Sequence, residues 1–372
     1  MNITNRIRVM HVAECIGGVD RYLHSLLKYM DHDKFENIMV LSKLYEGKGY
    51  EKLADKVEII DIPHGMGVKT IASAVDIRKL VKKYDPDIVY AHSSVAGAVT
   101  RLACIGLGVK VIYNPHGWSF NMQSGKKKVF IALEKLMVPF CDAIVCISEA
   151  EKQSALNNKI CKEYKLHVIY NGIDLEEYKE ITATRKDLNI PENAFVVGMV
   201  GRISQQKAPD VFVRMADEIN KKVEDTFFII VGDVVEGEAK EKTYIEQLAN
   251  ELGIKLMITG WVDNPLDFVN QFDVACLLSR WEGFGLAIPE YMLCEKPIVA
   301  TRVDAIPYLI EDGENGLLVD MDDYKAAAEA VVRCTDNVLK ENLVSNGVKT
   351  VHERFDAKRV SSELELIILA ER

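Results

Sequence analysis

Short apolar runs alternate with longer amphipathic ones along the whole chain, and this alternation predicts parallel α/β layers. In the first half we predict strands at 8–13, 37–42, 57–62, 87–91, 109–114, 143–147 and 167–170. Helices are predicted in most of the gaps, at 18–29, 70–84, 95–107, 127–140 and 149–157.

A polar stretch at 171–193 interrupts this rhythm, which then resumes. We predict further strands at 196–200, 227–231, 256–258, 274–278 and 298–301, and closing helices at 322–335, 340–354 and 357–370. The second half thus repeats the layout of the first without repeating its sequence. The pattern predicts two doubly wound Rossmann-like domains with a ligand cleft between them, since ligands bind at the carboxyl ends of parallel strands.

Domain boundaries follow from the interruption and from the last helix. We place the first domain at 1–175 and the second at 176–355. The remaining segment, 356–372, is expected to form a helix that packs back towards the first domain.

Composition narrows the class of protein. The 372 residues suffice for about two domains, and 48% hydrophobic with 27% charged residues is typical of a soluble globular protein. A net charge of -10 argues against a nucleic-acid partner. We expect no signal peptide and no membrane span, because no window approaches eighteen consecutive apolar residues. The eight cysteines form no CxxC pair, so reduced thiols in a cytoplasmic protein are expected.

A glycine-rich turn between two glutamates is the most informative stretch. Glu282 precedes Gly283-Phe284-Gly285, and Glu290 follows eight positions after Glu282 on a predicted helix. Because the turn follows the strand at 274–278, backbone N–H groups and a helix dipole would converge on one spot, which suits a phosphate. A carboxylate beside bound phosphate needs hydroxyl partners, which sugars and riboses supply in pairs. The stretch therefore predicts a nucleotide-sugar site.

Two cations follow the strand at 196–200. Gly201 ends that strand, and Arg202 and Lys207 stand five positions apart in one loop. A guanidinium offers phosphate oxygens a planar fork and an ammonium offers a compact charge, so the pair would neutralise a leaving diphosphate. Two solvated surface cations are the alternative for the loop alone. Beside the 282–290 stretch, we favour the diphosphate site.

Glycines and a histidine end strands of the first half. The strand at 8–13 leads into Gly17-Gly18 and a helix, but the full GxGxxG is missing and no acidic residue ends the second strand, which disfavours a dehydrogenase. Adjacent glycines still permit close approach of the backbone to a ligand. His116 stands beside Gly117 after the fifth strand, where both a catalytic and a structural role are open.

No metal or other cofactor is predicted. The Asp-x-Asp pairs at 31–33, 85–87 and 320–322 lie in predicted polar turns, and no His/Cys cluster has ligand spacing. Another segment has two interpretations. Lys126, Lys127 and Lys128 precede an apolar run to Phe140, which is either a core-facing helix or a basic, apolar patch that rests on an anionic membrane surface.

Together these motifs resemble the retaining GT-B glycosyltransferases of glycosyltransferase family 4. The resemblance runs nearly end to end, and its Glu-x7-Glu element with an internal Gly-Phe-Gly is specific. The matching motifs are Gly17-Gly18-Val19-Asp20-Arg21, His116-Gly117, Ser148-Glu149, Asn171-Gly172-Ile173-Asp174, Gly201-Arg202 with Lys207, the 282–290 stretch and Asp312-Gly313-Glu314-Asn315-Gly316. The chain departs from the family at Ala208, at Asp304-Ala305 and at Tyr291, and the last two departures would reshape the sugar end of the pocket.

The resemblance implies a role for each matching residue. The first domain would be the acceptor side and the second would bind the nucleotide-sugar. Glu290 would hold the ribose hydroxyls, and Arg202 and Lys207 the diphosphate. The other implied donor contacts are Glu282, Gly283, Phe284, Gly285 and Leu286 at the sugar and its phosphate, Gly201 in the cation loop, His116 facing the sugar, Gly17 and Gly18 near the phosphates, and Trp261 and Val262 at the base.

The implied reaction is metal-independent transfer of a sugar, with retention, from a UDP-sugar to a glycan or lipid-linked acceptor. A leaving-group oxygen would take the acceptor's proton, so no carboxylate need act as nucleophile. We expect a cytoplasmic enzyme of capsule or exopolysaccharide synthesis, peripheral at the inner membrane face, with a polyprenyl-diphosphate-linked acceptor. A GT-B sugar-nucleotide epimerase and transfer to a small soluble acceptor remain open. A non-catalytic partner subunit is disfavoured by the intact set Glu282, Arg202, Lys207 and Glu290.

Overall fold

The computed structural model describes residues 6–15, 17–43, 49–63, 65, 67–121, 125–176, 181–235 and 239–372. The chain forms two compact α/β units, and the predicted fold class is confirmed. One unit comprises Met1–Ile173 together with Ala357–Arg372, and the other comprises Asp174–Asp356.

The first unit contains a parallel sheet of seven strands. Its strands are β1 (Ile7–Ala13), β2 (Phe35–Ser42), β3 (Lys56–Ile60), β4 (Ile88–His92), β5 (Lys110–Asn114), β6 (Ala143–Cys146) and β7 (Leu166–Val168). Its helices are α1 (Gly18–Tyr29), α2 (Val68–Tyr84), α3 (Ser94–Cys104), α4 (Lys127–Met137), α5 (Glu149–Asn157) and the C-terminal α13 (Ala357–Glu371).

The second unit contains a parallel sheet of six strands. Its strands are β8 (Phe195–Val200), β9 (Thr226–Val231), β10 (Leu256–Ile258), β11 (Val274–Leu277), β12 (Ile298–Thr301) and β13 (Leu317–Val319). Its helices are α6 (Pro209–Asn220), α7 (Ala239–Glu251), α8 (Pro265–Val269), α9 (Ala287–Leu293), α10 (Ile306–Leu309), α11 (Tyr324–Arg333) and α12 (Asn337–Arg354).

Both sheets reverse their strand order once. The first runs β3-β2-β1-β4-β5-β6-β7 and the second β10-β9-β8-β11-β12-β13. The reversal therefore falls between β1 and β4 in one sheet and between β8 and β11 in the other. Loops diverge at such a point and open a crevice beyond the carboxyl ends of the strands, which is where ligands bind in this architecture.

Burial of apolar strands on both faces stabilises each sheet. Val9, Val12 and Val89 in the first sheet, and Val197 and Val299 in the second, are fully buried, as expected for parallel strands covered by helices. Helix α13 packs on α1, where the Ser361 hydroxyl donates to the Leu26 carbonyl at 2.9 Å.

The structure adds elements that the pattern did not indicate. Strand β13 has only three residues, and the predicted strands of the second half omitted it, although the equally short β10 was predicted. The predicted helix at 127–140 ends as α4 at Met137 and continues as a 3-10 turn, Val138–Phe140, because Pro139 lacks the N–H that an α-helix requires there. No described helix is both long and apolar enough to cross a membrane.

Candidate active site

The carboxyl ends of β8 and β11 bring two predicted donor residues into direct contact. The Lys207 ammonium lies 2.5 Å from Oε1 of Glu282, and the two side chains are only 17% and 6% exposed. The Ser279 hydroxyl donates to the same carboxylate oxygen at 2.7 Å. The strands thus place a largely buried cation against a buried carboxylate, both held in the crevice of the second unit.

Arg202 lies apart from this ion pair. Its side chain is exposed, and its guanidinium contacts Oε1 of Gln206 at 3.4 Å. Gln206 also donates to the Trp281 carbonyl at 3.0 Å, which ties the cation loop to the turn after β11. The structure therefore distinguishes the two cations, since Lys207 is already paired and Arg202 is presented to solvent.

The turn between Glu282 and Glu290 requires a glycine. Gly285 has φ +92°, and a Cβ atom there would lie 2.7 Å from the side chain of Ile306, so both the backbone conformation and the space exclude a side chain. The neighbouring Phe284 is buried and packs edge-to-face on Phe355 at 5.8 Å between ring centroids. Glu290 is 5% exposed in the first turn of α9, just after Leu286.

Two departures from the family pattern contact this turn or its support. A carboxylate oxygen of Asp304 accepts the backbone N–H of Glu282 at 2.9 Å. Loss of solvent raises the pKa of Asp304, and the nearby Glu282 charge adds to the rise, against the hydrogen bond. The Tyr291 hydroxyl is fully buried, accepts the Val200 N–H at 2.8 Å and donates to the Cys276 carbonyl at 3.2 Å. Tyr291 therefore braces β8 against β11.

The remaining predicted donor residues lie on loops after β8, β10 and β11. Gly201 and Gly232 approach each other so closely that a Cβ on Gly232 would lie 2.2 Å from the Gly201 carbonyl oxygen. Trp261 is 64% exposed, and Val262 follows it half-buried. Gly283 continues the turn after Glu282.

The first unit places His116 within a buried cluster of aromatic and histidine rings. Nε2 of His116 lies 3.0 Å from Nδ1 of His92, and the two rings stack with centroids 5.3 Å apart. His92 in turn stacks on His11 at 5.8 Å. Tyr22 meets His116 edge-on at 4.8 Å. These residues come from β1, β4, α1 and the loop after β5.

Burial keeps these imidazoles uncharged. Loss of solvent lowers the pKa of His116 to about 3 and the pKa of His11 to about 4. The pKa of His92 also falls well below its ordinary value through burial, and the neighbouring His116 and His11 lower it further. At neutral pH the cluster therefore offers neutral hydrogen-bonding groups rather than positive charge.

The backbone around His116 is held on both sides. His116 has φ +51°, a left-handed conformation that is uncommon outside glycine, and its N–H donates to Oδ1 of Asn114 at 3.0 Å. The Gly117 N–H donates to the Glu151 carboxylate at 2.6 Å, and the Ile147 N–H to its other oxygen at 2.7 Å. Burial raises the pKa of Glu151 to about 7, against those two hydrogen bonds.

The predicted Gly17-Gly18 loop is exposed at the start of α1. Gly17 has φ +53° and precedes the helix, whose first residue is Gly18. Close by in sequence, the buried Glu14 accepts a hydrogen bond from the Ser93 hydroxyl at 2.7 Å, which joins the ends of β1 and β4. The loop thus begins at the switch point of the first sheet.

Sequence reasoning missed several residues that hold the site. The residues that were not singled out are Ser279, His92, Ser93 and Glu151. The first three could have been found, because each is a polar residue at or just after the end of a parallel strand. Glu151 stands inside α5 and gave no such signal. Among the described residues, no group of three or more His, Cys, Asp or Glu side chains is arranged to hold a metal ion, and the metal-free reaction stays a prediction.

Two family models match the chain, one in each half. The model described as Glycosyltransferase Family 4 matches residues 16–177. The model described as Glycosyl transferases group 1 matches residues 180–350. The first match contains His116 and the second contains Lys207, Glu282 and Glu290.

Relatives and solved structures agree with these matches. The Escherichia coli UDP-Gal:alpha-D-GlcNAc-diphosphoundecaprenol alpha-1,3-galactosyltransferase is 28% identical over 98% of this chain and 97% of its own. The Staphylococcus aureus capsular polysaccharide biosynthesis glycosyltransferase CapM is 27% identical over 82% of this chain and 84% of its own. Anabaena Alr3699/HepE, in a crystal structure with UDP-glucose, has a TM-score of 0.84 at 21% identity and covers 98% of this chain and 100% of its own. It shares the fold.

Proposed function

This chain is a glycosyltransferase of family 4, and from that premise we propose that it transfers a hexose from a UDP-sugar to a lipid-linked glycan in bacterial surface polysaccharide synthesis. The observation that carries the proposal is the Lys207–Glu282 ion pair beside the glycine turn. The E. coli and S. aureus relatives, by their names, act in galactosyl transfer to a diphosphoundecaprenol acceptor and in capsule synthesis.

The ion pair supplies a cation where the leaving group gains charge. When the bond between the sugar C1 and the β-phosphate oxygen breaks, negative charge grows on that oxygen. The Lys207 ammonium, held by Glu282 in the absence of donor, has protons to share with it. Arg202, exposed and weakly held, turns towards the diphosphate from the other end of the same loop.

Transfer proceeds with retention and without a metal. The acceptor hydroxyl forms its bond to C1 on the face that the diphosphate leaves, and its proton passes to a leaving-group oxygen. No protein carboxylate forms a covalent intermediate. Glu282 serves to orient Lys207 and the sugar hydroxyls, because its carboxylate also accepts the Ser279 hydroxyl and is fixed in place.

Glu290 holds the ribose of the donor. Glu290 is 5% exposed, so hydrogen bonds to two hydroxyls would form in a largely dry site, and each charged hydrogen bond contributes about 1.5–3 kcal/mol. The UDP donor in the name of the E. coli relative and the UDP-glucose bound in Anabaena Alr3699/HepE support a preference for uridine.

A surface on α4 suits an acceptor presented at a membrane. Val129 and Leu136 are 57% and 66% exposed, and their spacing of seven places them on one side of α4. Phe140, 37% exposed, lies in the 3-10 turn that follows. Lys126, Lys127 and Lys128 are exposed beside this stripe. The opposite side of α4 is anchored, since Glu134 pairs at 2.9 Å with Arg101, which is fully buried. We call the exposed side, residues 126–129 with Leu136 and Phe140, the α4 surface.

The reaction is tested by a donor screen with purified protein. UDP-, GDP- and ADP-sugars are incubated with and without a polyprenyl-diphosphate-linked sugar, and products are identified by mass spectrometry and by the anomeric configuration in NMR. We expect acceptor-dependent release of UDP, an α-linked product from an α-linked donor, and unchanged activity in EDTA. A new epimer formed from UDP-sugar alone would replace the proposal with a sugar-nucleotide epimerase.

The membrane contact is tested separately with liposomes. Binding to vesicles of phosphatidylserine and phosphatidylcholine should fall with salt and with Lys126, Lys127 and Lys128 changed to Glu, because each lysine contributes about 1 kcal/mol near an anionic surface. The matched control changes Lys240, Lys325 and Lys349, exposed on helices of the second unit, to Glu and alters the net charge equally. Equal loss of binding in both variants would refute the α4 surface and favour a soluble acceptor.

A further inference from the structure

Among the histidines of the first unit, His92 lies where it can fix the position of the His116 ring proton. We infer that Nδ1–H of His92 donates to Nε2 of His116 and thereby fixes His116 in the tautomer that carries its proton on Nδ1. The consequence for transfer rests on the proposed function, in which His116 faces the donor sugar. The tautomer itself does not depend on it.

The unpartnered nitrogen of His92 determines where its proton lies. His92 is fully buried, and its Nε2 has no hydrogen-bond partner within the described ranges. A proton on Nε2 would leave a buried N–H donor unpaired, which folded proteins avoid more strictly than an unpaired acceptor. The proton is therefore on Nδ1, the atom that lies 3.0 Å from His116.

The tautomer of His116 follows from that of His92. Each ring is neutral, because burial lowers the pKa of both imidazoles, and a neutral imidazole has one N–H donor and one acceptor nitrogen. Since His92 donates, Nε2 of His116 must accept, and the proton of His116 is on Nδ1. The His116 Nδ1–H is then available to donate to an oxygen of the sugar.

The other contacts of His116 fix its place but not its proton. Its backbone is held by Asn114 and, through Gly117, by Glu151. Its ring is flanked by Tyr22 edge-on at 4.8 Å. None of these groups bonds to a ring nitrogen of His116, so among the described residues His92 is the group that selects the tautomer. A free imidazole side chain in water prefers the opposite tautomer, with the proton on Nε2.

The test is a nitrogen NMR spectrum of protein labelled with 15N in its imidazoles, recorded without any ligand. Long-range couplings from the ring carbon protons distinguish a protonated from a bare nitrogen. We expect His116 to show N–H at Nδ1 and a bare Nε2, and His92 to show N–H at Nδ1. A His116 protonated on Nε2 would overturn the inference from the wild-type spectrum alone, whatever the stability of any variant.

Two variants then separate positioning from packing. His92→Phe keeps an aromatic ring in the stack and removes the donor, so Nε2 of His116 no longer has to accept a hydrogen bond. Because His116 is only half-buried, part of its population should then carry the proton on Nε2, the nitrogen that an imidazole in water prefers. His11→Phe is the matched control, because His11 occupies the same stack but bonds to Asn37 at 3.2 Å rather than to His116. It should leave the His116 tautomer unchanged. An unmoved His116 proton in His92→Phe would overturn the inference.

Kinetics connect the tautomer with transfer. In His92→Phe, kcat should fall about tenfold, the effect of one lost hydrogen bond to the sugar, while the KM for the donor changes less than about twofold. His11→Phe should keep both values. A moved proton with unchanged kcat would refute the positioning role. A wild-type protein that transfers no sugar would refute the proposed function and leave the NMR assignment standing.

Discussion

The switch points of the two sheets carry opposite kinds of chemistry. In the second unit, charges are retained and paired, with Lys207 against Glu282 at 2.5 Å. In the first unit, burial removes charge, and His11, His92 and His116 are neutral imidazoles with depressed pKa values. The same topology therefore produces an ionic crevice at one switch point and a stack of neutral imidazoles at the other.

Under the proposed function, this difference would match what each end of a nucleotide-sugar requires. A diphosphate carries charge that increases as it leaves, and a stored ammonium can stabilise it without reorganisation of solvent. A sugar is neutral and rich in hydroxyls, so neutral donors and acceptors bind it without the desolvation cost of a charge. The comparison predicts that variants in the second unit reduce stabilisation of the charge on the leaving diphosphate. It also predicts that variants in the first unit alter the orientation of the sugar.

The largest effect is expected when the ion pair is broken. Lys207→Ala should lower turnover by about 10²–10³-fold, the usual loss for one group that stabilises transition-state charge. It should also destabilise the second unit by about 3–5 kcal/mol, because Glu282 remains as a buried carboxylate without its cation. Steady-state kinetics and urea unfolding measure the two losses.

A second substitution separates the two losses. Adding Glu282→Gln to Lys207→Ala removes the stranded charge, so stability should recover while turnover stays low. Arg202→Ala, at an exposed cation of the same loop, should lower turnover with little change in stability. If the Lys207→Ala protein turned over like wild type, the ionic crevice would have no part in transfer.

The next prediction tests whether Glu151 holds the loop that carries His116 in place. Glu151→Gln replaces a carboxylate that accepts two backbone N–H groups with a group that has one acceptor oxygen. One buried N–H loses its partner, so we expect a loss of about 1–3 kcal/mol and, because the Gly117 loop is released, about tenfold lower turnover.

Glu149→Gln is the control for this change. Glu149 lies on the same helix, and its carboxylate accepts an exposed hydrogen bond from Gln153 at 2.8 Å. It should behave like wild type in both assays. Equal kinetics in the two variants would show that Glu151 does not orient His116.

The sequence was sufficient for the layers and for most polar residues at strand ends. Helices α1 and α5 and strand β12 begin and end where the sequence predicted, because apolar runs and the longer stretches between them are local properties of the sequence. The three-residue β13 was missed although the equally short β10 was predicted, and β13 forms through pairing with β12, a contact distant along the chain. That pairing cannot be deduced from the segment itself.

The partners of the site residues were harder to predict than the residues. Lys207 and Glu282 were both singled out, but each was assigned to a ligand, whereas the structure pairs them with each other. A pair separated by 75 positions depends on the strand order β8-β11, which the pattern of apolar runs does not specify. His92 was missed for the same reason, because its importance depends on its contact with His116 in the loop after β5.

The third prediction uses pH to test whether the His11 imidazole is neutral in the folded protein. The pKa of His11 is lowered from 6.5 to about 4 in the folded protein. Between pH 6.5 and pH 4 the unfolded state binds a proton at His11 that the folded state does not bind. The free energy of unfolding is therefore not reduced by His11 above pH 6.5, and it decreases as the pH falls from 6.5 towards 4.

The measurement is urea unfolding at pH 7 and pH 5. The wild-type free energy of unfolding should fall between these values, and in His11→Phe the fall should be smaller by about 2 kcal/mol, the linkage expected for one such group. His352→Asn, at a solvent-exposed histidine of α12, is the control and should follow wild type. A His11→Phe protein with the wild-type pH dependence would mean that His11 is not a buried neutral base.

The smallest effect decides what Tyr291 does. As a departure from the family pattern it was expected to reshape the sugar end of the pocket, yet its hydroxyl bonds to the Val200 N–H and the Cys276 carbonyl. Tyr291→Phe should therefore cost about 1–3 kcal/mol of stability, because the Val200 N–H loses its partner, and change turnover and donor preference by less than about threefold. Tyr308→Phe, at an exposed tyrosine of α10, is the control for removing a hydroxyl. A change of donor sugar in Tyr291→Phe, with stability unaltered, would instead assign Tyr291 to the pocket wall, because a residue that only braces β8 against β11 cannot distinguish one sugar from another.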